Sequence, residues 1–277
     1  MATADQECEV AIKGKEMSIL KNISAFIRNK YHGFVSFLVL FIIWSGLSRY
    51  DLISPEYLPS PTAVGQAFVK IIKSGQLGDS LGSSLIRITE GFLAGTILGF
   101  FFGAVMGVSR TSERLFAPLF NALRQVPIIG WIPLIIVWCG IAETSKVTFI
   151  AIGAFFPILI NTFEGIRSVS NSYVEVARVF EYSRFKLLRT IVIPGAVPSI
   201  VSGIRLSMGT AWLLVVWAEI NTRSAAGIGD LLSRSSEGHK PDVAVVCVIV
   251  IGVVAFIINE LFGHLEARLS TWRKSYR

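Results

Sequence analysis

The 277-residue sequence is short of charge: 16% of its residues are Asp, Glu, Lys or Arg and 52% are hydrophobic, whereas soluble domains carry about 25% charged residues. So few charges cannot clothe a water-facing surface, and the chain reads as one surrounded by lipid. Cysteine is scarce as well. Cys8, Cys139 and Cys247 lie far apart with no Cys-x-x-Cys spacing, which argues against a disulfide framework and a thiolate zinc site. His32, His239 and His264 are isolated, without the paired spacing of metal ligands. There is no Gly-x-x-x-x-Gly-Lys-Ser/Thr loop, and Gly227-Ile228-Gly229 lacks the third glycine of a dinucleotide site. The pattern suggests neither catalysis nor a metal, and no cofactor is expected in this chain.

What stands in their place is a series of apolar runs: Phe34–Leu47, Leu81–Val108, Leu115–Ile141, Val147–Phe163, Ala196–Trp217 and Val243–Phe262. A span needs about 20 apolar residues, so the expected fold class is all-α, a polytopic membrane protein of about six transmembrane helices. The first run is the shortest and follows Lys21, Arg28 and Lys30. No small-x-small cleavage site comes after it, and it is taken as a retained span. The formal charge of +7 is gathered in loops, which turns the reading away from nucleic acid. Lys13, Lys15, Lys21, Arg28, Lys30, Arg110, Arg114, Arg167, Arg178, Arg184, Lys186, Arg189, Arg268, Arg273, Lys274 and Arg277 all fall on one face of a six-span chain. By the positive-inside rule that face is cytoplasmic. The expected organisation is a cytoplasmic segment 1–33, a membrane domain 34–265 with a cytoplasmic hairpin 167–195, and a cytoplasmic tail 266–277.

Gly91, Gly95, Gly99, Gly103 and Gly107 recur every four residues, a small-residue ladder of the kind that lets membrane helices approach closely. It serves either packing within one chain or a subunit contact. The third run holds Pro118, Pro127, Gly130 and Pro133; breaks of this kind are tolerated where protein or a water-filled cavity satisfies the freed carbonyls. Arg87, Glu90, Arg124, Glu164, Arg205 and Glu219 lie in or at the ends of runs and must pair or face water. Arg87 and Glu90 are spaced to pair with each other. Arg124, Gln125, Pro127, Trp131, Arg205, Trp212 and Glu219 are the candidates for a translocation pathway, with Arg124 and Arg205 suited to attract an anion. Trp131, Trp138, Trp212 and Trp217 fit either a pathway lining or an interfacial belt, the belt suiting Trp217 better.

Between Ser170 and Pro198 the spacing predicts two short helices and a turn. Ser172 and Glu175 have capping-box spacing, Phe185, Leu188, Ile191 and Val192 recur at helical intervals, and Pro194 is expected to stop the second helix. The segment resembles the EAA loop of ATP-binding-cassette (ABC) importer permeases: Glu175, Ala177, Ile191, Ile193 and Pro194 match that signature, while Val176 replaces its first alanine and Glu181 its glycine. Leu58-Pro59-Ser60-Pro61, Leu123-Arg124-Gln125-Val126-Pro127 and Trp217-Ala218-Glu219 followed by Gly227-Ile228-Gly229 are similar to the nitrate, sulfonate, taurine and bicarbonate permeases. The likeness covers most of residues 55–265 and implies a type I importer permease fold. The implied partners are two ATPase subunits carrying ATP and magnesium, a second permease copy in a homodimer, an extracytoplasmic substrate-binding protein and the bilayer. In such a loop Glu175, Ala177, Glu181, Tyr182, Ser183, Ile191 and Pro194 form the ATPase-docking hairpin, Glu175 more simply as a cap and Ala177 and Glu181 as contacts. Related permeases carry thiamine precursors. A gradient-driven secondary transporter is the rival reading; it would carry inverted repeats, and no internal repeat is visible.

Overall fold

The computed structural model describes residues 35–50, 52–222 and 226–269. Cys8, His32, Phe34, Arg223, the basic residues from Lys13 to Lys30, and Arg273, Lys274 and Arg277 lie outside them. All elements among the described residues are helical. Two units separate at Gly65. In the first, α1 (Val35–Arg49) is anchored by its Trp44 indole, which donates to the Pro59 carbonyl at 2.9 Å. Next come α2 (Pro61–Lys73), α3 (Gln76–Val108), α4 (Arg110–Gln125), a 3₁₀ turn (Ile128–Trp131), α5 (Ile132–Cys139), α6 (Glu143–Arg167), α7 (Asn171–Val179), α8 (Arg184–Leu187), a π segment (Leu188–Val192), α9 (Ile193–Asn221), α10 (Ile228–Glu237) and α11 (Pro241–Leu269).

The glycine ladder sets the centre of the second unit. A Cβ at Gly91 would stand 2.7 Å from Ile150, and one at Gly107 would stand 2.8 Å from Ile166. Between them Gly95 abuts Ala154, Gly99 abuts Ile158 and Gly103 abuts Thr162. Each step advances four residues on both helices, so α3 and α6 run parallel with their backbones nearly touching. Without a hydrophobic drive between helices in lipid, this close packing is a main source of their association. The ladder therefore lies inside one chain.

Parallel α3 and α6 oblige the chain between Val108 and Glu143 to return across the layer. α4 and the 3₁₀–α5 segment do so with a bend of 95°, so the third run is a broken crossing rather than a straight helix. Pro127 caps the second piece; its ring and missing N–H keep α4 from continuing. α9 runs antiparallel to α6: Gly165 faces Ser199, Gly203 faces Asn161 and Gly153 faces Leu214. α11 is antiparallel to α9 through Ser202–Glu266 and Arg205–Asn259. Among the described residues four helices are long and apolar enough to cross a membrane, five with the bent pair. The first run contributes only the shorter α1.

Candidate functional site

At the end of the second unit where α3 and α6 begin, a buried ion network ties four helices together. Arg87 is 7% and Glu219 0% exposed. The Arg87 guanidinium donates to Glu219 at 2.7 Å and reaches Glu143 with a second nitrogen at 3.0 Å. Lys146 donates to the same Glu143 at 2.9 Å. Arg87 is thus paired across helices, not with Glu90, which is exposed. The Glu219 carboxylate also accepts from Ser84 Oγ at 2.8 Å and from the Gly229 N–H at 3.0 Å, while Ile228 N–H donates to Ser84 Oγ at 3.0 Å. Both Glu219 oxygens thereby face hydrogen-bond donors, as a buried carboxylate requires. The glycines of Gly227-Ile228-Gly229 follow from this: the carboxylate occupies the place a Cβ on Gly227 would need, and a Cβ on Gly229 would meet Glu219 Cβ at 2.9 Å. Glu219 is an anchor for α10, not a pathway wall. Trp212 is likewise buried at 4% exposure.

The other predicted pathway residues separate. Arg124 and Gln125 are exposed at the end of α4, Pro127 is exposed at the bend and Trp131 is half-buried just after it. Arg205 lies elsewhere, in a groove between α9 and α11, bonded to Glu266 at 2.8 Å and to Asn259 at 3.0 Å. The structure does not bring Arg124 and Arg205 into one cavity.

At the opposite end of the unit the loop from α7 to α9 is built differently from the expected hairpin. Ser170, not Ser172, caps α7, accepting from the Ser172 N–H at 3.3 Å; Glu175 sits mid-helix with its side chain in solvent. Capping-box spacing points to Ser172 because Glu175 follows it by three, whereas Ser170 caps with Tyr173 at that position and leaves no such signal. α7 ends in a Schellman motif: Tyr182 N–H donates to the Ala177 carbonyl at 3.0 Å and Glu181 N–H to the Arg178 carbonyl at 2.9 Å. Glu181 takes φ 53, the left-handed conformation that the glycine of the signature supplies. Ser183 caps α8, and Lys186 lies 4.1 Å from the Tyr182 ring. Pro194 does not stop the helix. Ile191 falls in the π segment, which absorbs the carbonyl a proline leaves without a donor, and the chain continues through Ile193 and Pro194 into α9.

Ala177 is 2% exposed, so it builds the turn from within instead of touching a partner. What the loop presents outward is apolar: Val179 is 81% and Phe180 71% exposed, with Tyr173, Val176 and Phe185 also outward. Sequence periodicity hid these residues. Tyr173, Val176, Ala177 and Phe180 follow helical spacing, the pattern of an inward face.

Comparison with known proteins fits this architecture. Residues 95–271 match the family described as binding-protein-dependent transport system inner membrane component. The putative aliphatic sulfonates transport permease protein SsuC of Bacillus subtilis is 37% identical over 238 residues, covering 86% of each chain. The taurine transport system permease protein TauC of Escherichia coli is 30% identical over 84% of this chain and 86% of its own. A solved structure of the MetNI methionine ABC transporter in an inward-facing conformation superposes with a TM-score of 0.61 at 15% identity, over 70% of this chain and 96% of that one; this likeness concerns the fold. A family of this kind works with a separate ATPase and a substrate-binding protein, so hydrolysis is not performed here and the membrane subunit needs no cofactor. Its stacked apolar spans and its relatives make this chain a multi-pass inner-membrane permease, a member of the binding-protein-dependent ABC importer family.

Proposed function

We propose that the chain forms the translocation pathway for a small oxyanion of the sulfonate, taurine, nitrate or bicarbonate kind. In this reading two copies of it pair, two ATPase subunits holding ATP and magnesium dock on residues 171–192, and a substrate-binding protein delivers cargo at the Arg87–Glu219 end. Both termini face the cytoplasm. The observation that carries the reading is the loop tip: Val179 and Phe180 stand exposed beside Arg178, Arg184, Lys186 and Arg189, at the end of the molecule that positive charge marks as cytoplasmic. Large apolar side chains left exposed by the described residues are the anchors an interface uses. ATP-driven approach of two ATPases would then bias the permease between its two states through differential affinity. The names of the relatives support the choice of cargo.

Co-purification tests this. Val179→Arg with Phe180→Arg is expected to leave the permease folded in the membrane and to lose the ATPase subunit. Full retention of the ATPase and of ATP-driven transport by that variant would remove the loop tip from the docking role. Ala177→Arg is a poor probe because it attacks the turn itself.

A further inference from the structure

α4 carries three distinct stripes. Phe116 and Phe120 pack against Phe102, and Phe120 also against Phe155, with ring centroids 5.3–5.5 Å apart. Leu115 and Leu119, 68% and 52% exposed, form a second, lipid-type stripe. The third is polar: Arg110, Glu113, Arg114, Ala117, Pro118 and Asn121 line an open cleft of about 590 Å³ completed by Arg167 of α6. At 100° per residue Arg124 and Gln125 continue this third stripe. Because Phe120 lies against Phe155, midway along α6, the stripe climbs from the arginine-rich end toward mid-span. An arginine at that depth costs about 2.5–3.5 kcal/mol unless it meets water or an anion.

The charges in the cleft do not cancel. Glu113 is taken by Arg167. Among the described residues Arg110, Arg114 and Arg124 have no ion-pair partner, and Arg110 and Arg114 are placed one helical turn apart, where like charges repel. Such a cleft focuses a positive potential and concentrates anions.

We infer that the polar stripe of α4, with Arg167, is a water-filled binding cleft for a small soluble oxyanion carrying sulfonate- or carboxylate-type charge, held by Arg110 and Arg114 and handed along the helix past Asn121 to or from Arg124. The cargo role of that anion rests on the permease reading; the anion selectivity of the cleft does not. An inner-leaflet phosphate headgroup offers similar chemistry, but Leu115 and Leu119 place the lipid side on a different stripe from the arginines.

The test is thiol labelling of the whole complex, permease with its ATPase subunits, in lipid nanodiscs open on both sides. Ala117→Cys, Asn121→Cys and the lipid-stripe control Leu119→Cys are each reacted with (2-sulfonatoethyl) methanethiosulfonate and with its trimethylammonium counterpart. The label is located by peptide mass, so native cysteines stay in place. Cysteines at 117 and 121 are expected to react faster than at 119. Their anion-over-cation rate ratio should fall about tenfold when Arg110→Gln and Arg114→Gln are added. Free methanesulfonate should slow the anionic reagent equally in phosphatidylcholine discs and in discs containing phosphatidylglycerol. Labelling no faster than at 119, or a ratio unchanged by removing the arginines, overturns the cleft. Protection seen only with phosphatidylglycerol assigns the site to a headgroup and overturns the soluble anion. Loss of the ATPase from the unmodified complex would instead count against the permease reading while leaving the labelling ratio readable.

Discussion

Glu181 holds a backbone conformation, φ 53, that costs a side-chain-bearing residue about 1–2 kcal/mol. Glu181→Gly is expected to stabilise the purified protein by about 1 kcal/mol, seen as a higher unfolding midpoint. A lower midpoint would mean that the glutamate side chain holds something the strain is offset by. The place of this turn was legible in the sequence because the signature puts a glycine there. Its construction was not, since a glutamate in the left-handed region is set by the two capping hydrogen bonds around it. Partner choice at Arg87 was hidden for a related reason. Glu90 is near in sequence, but the partner Glu219 is 132 residues away, and local spacing carries no trace of a contact made by three packed helices. Removing one member of a buried ion pair costs about 3–5 kcal/mol. Arg87→Ala and Glu219→Ala should each destabilise by that order, while the double variant should lose much less than the sum. Additive losses in a double-mutant cycle would show the pair to be uncoupled.

At the scale of elements, α3 and α6 depend on a surface without side chains. A Cβ at Gly99 would overlap Ile158 and the Phe155 carbonyl, whereas Gly252 on α11 has nothing near its Cβ position. Gly99→Ala should destabilise by about 1–3 kcal/mol through forced separation of the helices, and Gly252→Ala should be neutral or slightly stabilising by up to about 1 kcal/mol. Thermal unfolding of the two variants in the same detergent checks both, and equal midpoints would deny the ladder its packing role. The four-residue glycine period showed that some helix would come close, yet only the fold identifies it as α6. Proline behaved in two ways here. Pro127 ends α4, as its chemistry suggests. Pro194 is carried within a continuous helix because the π segment before it redistributes the hydrogen bonds. Sequence alone does not distinguish these outcomes, which depend on whether a neighbouring register can absorb the missing donor.

At the scale of the molecule, the helices alternate through the layer in the order set by their contacts. α3 and α6 are parallel and in direct contact, α9 and α11 are each antiparallel to the helix they pack on, and the broken α4–α5 crossing connects the end of α3 to the start of α6. The ion network marks one end, and the α7–α9 loop the other. The run of long helices was readable from the apolar runs, because these report directly on contact with lipid. The outward-facing tip was not, since an exposed apolar stripe at helical spacing has the same sequence pattern as a core-facing one. A photo-reactive p-benzoylphenylalanine placed at Phe180, in cells that make the cognate ATPase, tests the docking most directly. Irradiation should yield a covalent adduct between this chain and the ATPase subunit, and none from the same group placed at Leu119. An adduct absent at Phe180 from a correctly inserted, stable permease would contradict ATPase docking at this loop.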